Sequence, residues 1–412
     1  MRTLAHNARL ATRSMRLLDK KTRNSLLFKL AHQIRLRESE ILEANALDMK
    51  NAKDYPKALQ DRLLLNESRI EAMAQAVEEI AQQEEVIGVI EKKFTRSDGL
   101  EVQRVRVPLG VILMIFESRP NVVIDAAALA LKSSNCMILK GGKEAQHSNE
   151  VLGRIIHEAI GGELPKECIQ VLPSTERSHV EELLSLNEYI DVVVPRGGEQ
   201  LIKYVYENAK MPVIAHYKGL CHLFIDKSAD KDEAINIILN AKTQRPGVCN
   251  AVETLLLHQD IVESLGVEIV KALENKKTRV KVDSLFNSLA STNYELASDE
   301  DWHTEYLDNI ISVKVVSDVD EALEHIETHG SHHTEGIVSK DSENIKKFIL
   351  CTDSSCVVVN ASTRFNDGGE LGLGAELGIS TSKIGVYGPM GAEQMTTCRY
   401  LVIGKGHVRE SK

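Results

Sequence analysis

The feature that most constrains the fold of this chain is a series of short, fully apolar runs that alternate with helical segments. From residue 107 onward the runs are VPLGVILMIF (107–116), CMILK (136–140), IQVLP (169–173) and YIDVVVPRGG (189–198). Strands that are apolar on both faces and alternate with helices are typical of a parallel sheet covered on both sides. The pattern therefore predicts a doubly wound α/β fold, with nucleotide binding in this region.

A second series with the same alternation follows. Its apolar runs are LCHLFIDKSAD (220–230), RVKVD (279–283), NIISVKVV (309–316), GIVSK (336–340) and SSCVVVN (354–360). We therefore expect a cofactor-binding domain over 1–219, a catalytic α/β domain over 220–385 and a C-terminal segment over 386–412.

The N-terminal region and two isolated strands have patterns of their own. Residues 1–92 have helical apolar spacing, and the start MRTLAHNARLATRSMRLL carries four arginines and no acid before Asp19. This composition also resembles a mitochondrial transit peptide, but the continuing helical pattern favours an amphipathic first helix. The strands VQRVRV (102–107) and RYLVIGKG (399–406) are expected to pair in a protruding ribbon, and such ribbons usually pair across a subunit interface.

Composition excludes several classes of function. The formal net charge of -10 and the lack of a basic stripe argue against a nucleic-acid partner. The longest apolar run is about half of what a bilayer crossing needs. Seven cysteines occur without a CxxC pair or zinc-like histidine spacing, which favours reduced thiols in the cytoplasm and no metal site.

The stretch TQRPGVCNAVETLLLH (243–258) holds the strongest candidate for a nucleophile, Cys249. Pro246 and Gly247 predict a sharp turn, and the residues after Cys249 are interpreted as an amphipathic helix. A thiol at the N-terminal end of a helix is stabilised as the thiolate by the dipole and by unpaired N–H groups. We therefore expect Cys249 to be a reactive cysteine.

Three other motifs give weaker signals. The run GGELGLGAELG (368–378) contains GxG but does not follow directly from a strand, so a close backbone turn is favoured over a phosphate-binding loop. His325 and His329 have the i, i+4 spacing of metal ligands, but no thiolate or paired carboxylate joins them, which favours a solvated helix end. Lys140 ends an apolar run beside two glycines, where nucleotides bind in doubly wound sheets.

Together these segments resemble the aldehyde dehydrogenase superfamily. The motifs are VPLGVILMIFESRPN, NCMILKGGKEAQHSN, VVVPRGG, KGLCHLFIDKSAD, QRPGVCNAVETLL, EYLDNIISVKVV and HTEGIVS, which cover essentially the whole chain. More narrowly they resemble the branch that reduces L-glutamyl 5-phosphate in proline biosynthesis. The resemblance implies a Rossmann-like cofactor domain, an α/β catalytic domain and a small β oligomerisation ribbon.

The resemblance also implies roles for single residues. Cys249 matches the nucleophile, Lys140 the lysine that meets the adenosine ribose or its 2′-phosphate, and Glu305 the glutamate that holds the nicotinamide ribose. Asn121 is the candidate oxyanion donor, and Ser118 competes with it.

Four further positions complete the expected site. Gly197 and Gly198 in VVVPRGG are expected to contact the cofactor. Arg119 and Arg245 flank the expected site, and their charge makes them candidates for holding the substrate's phosphate.

One departure from the superfamily bears on the reaction. Members that oxidise aldehydes carry a glutamate about 34 residues before the nucleophile, whereas this chain has AHYKGLCH there, with His216 nearest and no carboxylate. The resemblance therefore implies an NADPH-dependent reductase, acting through a cysteine thioester on an acyl phosphate. Homo-oligomers are expected, and glutamate 5-kinase, which makes the acyl phosphate, is a candidate partner.

Two alternatives stay open. One is an ordinary NAD-dependent aldehyde dehydrogenase that makes a free acid, which the missing glutamate disfavours. The other is a non-catalytic relative that keeps the fold as a nucleotide-binding or regulatory module, which the presence of Cys249, Lys140 and Glu305 disfavours.

Overall fold

The computed structural model describes residues 1–173, 176–215 and 218–409. Contacts divide the chain into two compact units. Unit 1 comprises Met1–Ala215, Gly372–Gly378 and Met390–Lys412, and unit 2 comprises His216–Leu371 and Ile379–Pro389. The segment Gly372–Gly378 was expected in the catalytic domain over 220–385. The contacts of this segment lie in unit 1 instead, so chain order alone did not indicate where it packs.

Unit 1 begins with a helical layer. Its helices are α1 (Arg2–Leu17), α2 (Lys20–Leu36), α3 (Glu38–Asn51), α4 (Lys57–Leu63) and α5 (Glu67–Gln82). The helical interpretation of the start is confirmed, and Ala5, Ala8 and Met15 of α1 are fully buried. The expected unbroken pattern does stop at Asp19, because its carboxylate accepts the Thr22 N–H and so begins a new helix.

The parallel sheet of unit 1 follows the expected alternation. Strands and helices succeed each other as β3 (Val111–Phe116), α6 (Asn121–Lys132), β4 (Cys136–Lys140), α7 (Gln146–Ile160), β5 (Ile169–Val171), α8 (Arg177–Leu184), β6 (Val192–Arg196) and α9 (Glu199–Asn208). The spatial order is β5-β4-β3-β6, and every residue of β3 and β4 is buried. Burial on both faces is what the continuous apolar runs predicted, so the doubly wound interpretation is confirmed.

Unit 1 also contains an antiparallel sheet. The expected pairing is present: β2 (Glu101–Pro108) runs antiparallel to β16 (Thr396–Ile403), with Val102 opposite Val402. A third strand, β1 (Ile90–Thr95), pairs with the other edge of β2. Residues 90–92 were interpreted as helical and β1 was missed because all its residues are exposed, so IEKKFT lacks an apolar run.

Unit 2 is built on a second parallel sheet. Its strands are β7 (Cys221–Ile225), β8 (Val252–His258), β9 (Arg279–Val282), β10 (Glu295–Leu296), β11 (Ile310–Val316), β12 (Thr334–Val338) and β13 (Cys356–Val359), in the spatial order β10-β9-β11-β8-β7-β12-β13. The helices between them are α10 (Lys231–Thr243), α11 (Val267–Asn275), α12 (Ser284–Ala290), α13 (Val319–His329) and α14 (Ser342–Cys351). A short antiparallel pair, β14 (Ile379–Ser380) and β15 (Gly388–Pro389), follows.

The prediction of an amphipathic helix after Cys249 is wrong. Residues Val252–His258 form β8, and all seven are buried between its parallel neighbours β7 and β11. The sequence VETLLLH is apolar at most positions, and a short run of this kind does not distinguish a buried strand from a buried helix by periodicity. The thiol therefore does not lie at the N-terminus of a helix.

The glycine-rich run 368–378 forms turns, as expected. Gly372 and Gly374 have positive φ values of 79° and 67°, and the segment leads into the short strand β14 rather than into a helix. A dinucleotide fingerprint would place a helix N-terminus after the glycines. The preference for a close backbone turn is confirmed.

Candidate active site

In unit 1 the candidate residues lie at the carboxyl ends of the parallel strands. Lys140 is the last residue of β4, and its Nζ donates a hydrogen bond to the Gly141 carbonyl at 2.9 Å. Burial lowers the pKa of this lysine, and the neighbouring carboxylate of Glu144 acts in the opposite direction. The lysine is therefore held by backbone at the end of a strand, as predicted, while its cofactor contact stays a prediction.

Ser118 and Asn121, the competing oxyanion candidates, differ in their hydrogen bonds. The backbone N–H and the hydroxyl of Ser118 both donate to one oxygen of Glu144, at 2.6 and 3.0 Å, and the Ser118 side chain is buried. Asn121 is the first residue of α6, and its Nδ2 donates to the Asp125 carboxylate at 2.8 Å. An amide nitrogen carries two hydrogens, so Asn121 keeps an N–H for a ligand while the Ser118 hydroxyl hydrogen is engaged.

Asp125 is the residue that orients Asn121, and its own protonation is perturbed. Burial raises the pKa of Asp125 to about 6, while the hydrogen bond from Asn121 and the charges of Arg196 and Arg119 favour its ionised form. Arg119, expected to hold phosphate, thus has an electrostatic interaction with a carboxylate one helical turn beyond Asn121. Its role with substrate stays a prediction.

The expected cofactor glycines follow β6. Gly198 is the N-cap of α9, and its N–H donates to the Glu117 carboxylate at 2.9 Å. A Cβ atom on Gly197 would collide with the same Glu117 carboxylate and with Leu201. The Glu117 carboxylate, which accepts a hydrogen bond at the start of α9, therefore explains why position 197 is a glycine. The motifs did not indicate Glu117.

A cavity of about 510 Å³ lies within unit 1 beside Lys140. It is lined by Gly141 and Gly142, by one face of α7 and by the end of β5. Among the described residues, the Oδ1 atom of Asn149 is buried there without a hydrogen-bond partner. An unpaired buried acceptor is costly, and a ribose hydroxyl or an adenine amino group would satisfy it. The cavity therefore fits the adenosine end of a nicotinamide dinucleotide.

In unit 2 the candidate residues lie at the amino ends of the parallel strands. Cys249 is half-buried in the turn between α10 and β8, where the Ala251 N–H donates to the Val248 carbonyl at 3.1 Å. Behind it, the thiol of Cys221 at the start of β7 donates to the Cys249 carbonyl at 3.1 Å. Burial raises the pKa of Cys221 well above its ordinary value, so this second thiol is a neutral donor.

Glu305 is joined to Cys249 through Gly219. The backbone N–H of Gly219 donates to the Glu305 carboxylate at 3.0 Å. A Cβ atom on Gly219 would lie only 2.5 Å from the Cβ and 2.6 Å from the Cα of Cys249. Gly219 is therefore required for the close approach, and the structure brings the predicted nucleophile and the predicted nicotinamide-ribose glutamate together within unit 2.

A buried ion pair bridges the Cys249 turn. Lys242, near the end of α10, and Glu253, at the start of β8, are 0% exposed, and their charged atoms lie 2.6 Å apart. The other Glu253 oxygen accepts the Leu307 N–H at 3.2 Å, two residues beyond Glu305. Burial raises the pKa of Glu253 to about 7 and lowers that of Lys242. This pair therefore connects the turn that carries Cys249 with the segment that carries Glu305.

Arg364 is a further residue that the motifs did not indicate. It lies in a short 3-10 turn, where its Nε donates to Gln244 at 2.9 Å and its Nη1 contacts the Asn250 side chain. Burial lowers the pKa of Arg364, the charges of Asp367 and Cys249 raise it, and the charge of Arg245 lowers it further. Arg364 therefore interacts electrostatically with both Cys249 and Arg245, and of the two arginines only Arg245 was expected.

The signals for the missed residues were present but indirect. Glu253 is an acid inside an apolar run, which indicates a buried partner, and Lys242 is its nearest basic residue upstream apart from Arg245. Arg364 lies in ASTRFNDGG, more than 100 residues after Cys249, and local pattern does not place it there. His216, the nearest residue to the missing general base, lies outside the described residues.

The histidine prediction requires a correction. His325 is buried rather than solvated, and its ring makes an edge-to-face contact with His222 and a tilted contact with His329, with centroid distances of 5.5 and 4.4 Å. Burial lowers the pKa of His325 to about 2. His222 in turn contacts the fully buried Glu335 at 2.9 Å. The apolar face of α13 packs inward, so the i, i+4 spacing reflects packing of a helix face.

Within 1–173, 176–215 and 218–409, no cluster of three or more histidine, cysteine or acidic side chains has the arrangement of a metal site. In the same ranges no helix combines the length and apolarity needed to cross a membrane.

The fold and the site define a class of protein, and comparison with known proteins agrees with it. Residues 1–290 match the model of the aldehyde dehydrogenase family. The same fold occurs in an engineered glycolyl-CoA reductase solved with NADP+, which is 15% identical, with a TM-score of 0.71 and coverage of 98% of this chain and 97% of the other.

Nearer relatives narrow the class. A γ-glutamyl phosphate reductase of Geobacter metallireducens is 45% identical over 413 residues, covering 100% of this chain and 99% of the relative. The crystal structure of the γ-glutamyl phosphate reductase of Thermotoga maritima has a TM-score of 0.95 and 42% identity, with 99% of both chains covered. The chain therefore belongs to the γ-glutamyl phosphate reductase family, within the aldehyde dehydrogenases.

Proposed function

We propose that this enzyme reduces L-glutamyl 5-phosphate to L-glutamate 5-semialdehyde and phosphate, using NADPH and a thioester on Cys249, in proline biosynthesis from glutamate. The observation that carries the proposal is the arrangement of Cys249, Gly219 and Glu305 in unit 2 of a chain that is similar to γ-glutamyl phosphate reductases over its full length. A location in the cytoplasm, with reduced cysteines, is part of the same proposal.

The thiolate of Cys249 attacks the γ-carbonyl carbon of the acyl phosphate. The new carbon–sulfur bond forms as the carbonyl π electrons move to oxygen, and the tetrahedral intermediate then expels phosphate and leaves a thioester. A thiolate suits both halves of the reaction because it is a strong nucleophile and a good leaving group. The close packing of Gly219 against Cys249 supports this role, because it leaves the turn little freedom to move.

The developing oxyanion needs donors that are in place before the reaction. The resemblance assigns this role to the backbone N–H of Cys249 and to the Asn121 side chain. The hydrogen bond from Asn121 to Asp125 fixes the amide orientation in unit 1 and supports Asn121 over Ser118.

The aldehyde dehydrogenase family uses a nicotinamide cofactor, and we assign NADPH to this enzyme. When bound, the reduced nicotinamide supplies the hydride that converts the thioester to the aldehyde level. Lys140, with Lys143 nearby in sequence, is proposed to pair with the 2′-phosphate, Asn149 to bind the adenosine end, and Glu305 to hold the nicotinamide ribose. After reduction, the carbon–sulfur bond breaks, the thiolate of Cys249 leaves and the semialdehyde is released.

The absence of a carboxylate in the sequence Ala215–His222 supports acyl transfer to phosphate over hydrolysis. A hydrolytic enzyme needs a base to activate water against the thioester. A reductase would lose its intermediate to the same water. The ordinary aldehyde dehydrogenase is therefore the second candidate.

The test uses the reaction in both directions. With glutamyl phosphate made enzymatically in the assay, the purified protein should consume NADPH, and Cys249→Ser should lose at least about 10³-fold in rate because the serine hydroxyl lacks an activating base. In the oxidative direction, glutamate 5-semialdehyde and NADP should give a single turnover in phosphate-free buffer. Addition of phosphate or arsenate should then start continuous NADPH production. Sustained production of free glutamate without phosphate would instead support the ordinary aldehyde dehydrogenase.

The antiparallel sheet of unit 1 is proposed to form the contact in a homo-oligomer. Strands β1 and β16 are its edges, and Phe94, Tyr400 and Val402 expose between 44% and 72% of their surface. Exposed edges and apolar side chains of this kind are commonly covered by a second subunit. Glutamate 5-kinase remains the candidate partner that would deliver the unstable acyl phosphate.

A further inference from the structure

The sequence suggested that a helix N-terminus after Cys249 stabilises its thiolate, but the described residues there form no helix. The residues after Cys249 form strand β8, and the helix nearest in the chain is α10, whose C-terminus at Thr243 precedes the Cys249 turn. The C-terminal end of a helix carries partial negative charge and disfavours an anion. A thiolate at Cys249 therefore needs a different cation.

Arg364 is fixed next to the Cys249 turn by a set of hydrogen bonds within unit 2. Its guanidinium contacts the Asn250 side chain, and Asn250 is the residue directly after Cys249. The backbone carbonyl of Asn250 accepts the Thr363 hydroxyl at 2.7 Å, and its Nδ2 donates to the Asn366 carbonyl at 2.9 Å. The turn around Arg364 is therefore hydrogen-bonded to both the backbone and the side chain of Asn250.

The partners of this guanidinium are neutral. Its hydrogen bonds go to the side-chain amides of Gln244 and Asn250, and no carboxylate of the described residues lies within ion-pair distance of it. Asp367 and Glu370 interact with it only through longer-range electrostatics. A half-buried cation without a direct counterion favours an anion nearby.

Other charges around Cys249 are unevenly distributed. Among the described residues, Arg364 interacts electrostatically with Cys249 and with Arg245, and the buried Lys242 is paired with Glu253. Several acids interact electrostatically with the groups next to the turn: Glu335 and Glu253 with Cys221, Glu305 with Glu253, and Asp367 and Glu370 with Arg364. The acids oppose an additional negative charge, which makes an unpaired cation more important.

We infer that Arg364 is the residue that stabilises the thiolate of Cys249, with its guanidinium oriented by Gln244 and Asn250. This inference rests on the proposed function, because it takes Cys249 as the nucleophile. It assigns Arg245 a separate role in substrate binding: its side chain is exposed, unlike the half-buried side chain of Arg364.

The test measures the thiol directly and needs no turnover. Alkylation of Cys249 by iodoacetamide is followed by peptide mass spectrometry in the full-length protein without substrate, from about pH 6 to pH 10, a range that spans the ordinary thiol pKa. Because only the thiolate reacts, Arg364→Gln should slow alkylation about tenfold at pH 7, and the difference should vanish at the high-pH limit. Arg364→Lys keeps the charge but loses the Nε hydrogen bond to Gln244, so it should slow alkylation about two- to fourfold, clearly less than Arg364→Gln.

Two further variants serve as controls. Arg279→Gln removes an exposed arginine of unit 2 that pairs with Glu295, and it should leave the alkylation rate unchanged. If Arg364→Gln does not fold, Gln244→Leu replaces it as the test. Gln244 is exposed, and this substitution removes only the acceptor of the Arg364 Nε hydrogen bond, so it should slow alkylation about two- to threefold.

The inference is overturned if Arg364→Gln, or Gln244→Leu in its place, reacts at the parental rate at pH 7, or if Arg364→Lys is as slow as Arg364→Gln. An unchanged alkylation profile with a raised KM for glutamyl phosphate and an unchanged kcat would assign Arg364 to substrate binding instead. Failure of the proposed function would appear separately, as reductase activity that survives Cys249→Ser.

Discussion

The two units place their candidate site residues at opposite edges of their parallel sheets. In unit 1, Ser118 follows β3, Lys140 ends β4 and Gly197 follows β6, so the residues lie at carboxyl ends. In unit 2, Gly219 precedes β7 and Cys249 precedes β8, so the residues lie at amino ends. The usual rule for ligands in open α/β sheets describes unit 1 and not unit 2.

The difference has electrostatic consequences. At the carboxyl edge of a parallel sheet the next helices begin, and their N-terminal N–H groups attract phosphates and carboxylates, as the start of α9 attracts Glu117. At the amino edge the preceding helices end, and their carbonyls repel anions. Unit 2 accordingly contains buried side-chain charges at this edge, among them the pair of Lys242 and Glu253. We expect changes in unit 2 to affect the chemical step and changes in unit 1 to affect cofactor binding.

The largest expected effect on catalysis is at Gly219. In Gly219→Ala the added methyl group would collide with the backbone and Cβ of Cys249, and the turn would have to move. A displacement on the order of 1 Å at a nucleophile costs about 10²-fold in rate, so kcat should fall by at least that factor while the protein stays folded. Gly247→Ala is the matched control, because its Cβ would lie 3.4 Å from the Leu307 carbonyl, an ordinary contact. Equal losses in both variants would remove the special role of Gly219.

The buried ion pair should govern stability. Glu253→Leu or Lys242→Met leaves one buried charge without its partner and should lower the free energy of unfolding by about 3–5 kcal/mol. The double variant Lys242→Met with Glu253→Leu should recover much of that loss, because no buried charge is left. Urea denaturation of the four proteins gives the coupling energy. Additive losses would show that the two residues act independently.

In unit 1, Lys140→Ala should change cofactor affinity and leave the chemical step nearly unchanged. The KM for NADPH should rise about tenfold and that for NADH less, if Nζ pairs with the 2′-phosphate. Initial rates with both cofactors at saturating glutamyl phosphate measure the split. A fall in kcat comparable to that in Gly219→Ala would contradict the expectation that changes in unit 1 affect cofactor binding and changes in unit 2 affect the chemical step.

The smaller of the two expected effects on stability concerns His325 in unit 2. Its folded-state pKa of about 2 lies below the unfolded value near 6.5, so between these values the unfolded chain binds more protons. Its contribution to stability is present above the unfolded pKa and is lost as the pH falls below it. From pH 7 to pH 5 this amounts to about 2 kcal/mol, which His325→Phe should remove. Thermal or urea unfolding of the parent and the variant at pH 7 and pH 5 measures this loss of stability. An equal loss in the two proteins would show that His325 is not its source.

Much of this molecule was predictable because its patterns are local. The apolar runs predicted both parallel sheets, and the motifs identified the family and selected Cys249, Lys140 and Glu305. The errors came where local pattern is ambiguous: VETLLLH is a strand, IEKKFT is an exposed strand, and His325 is buried. Each outcome depends on which neighbours cover the segment.

The sequence by itself determined the class of fold and the family, and it singled out Cys249 as the candidate nucleophile, because strand and helix periodicity and a specific set of motifs are encoded along the chain. Only the tertiary structure decided what surrounds that thiol. Gly219 lies 30 residues before Cys249 and Arg364 lies 115 residues after it, and their packing follows from the order of the strands and not from spacing in the chain. Electrostatic and steric effects act over a few ångströms in space, so residues distant in sequence determine them once the sheet has formed.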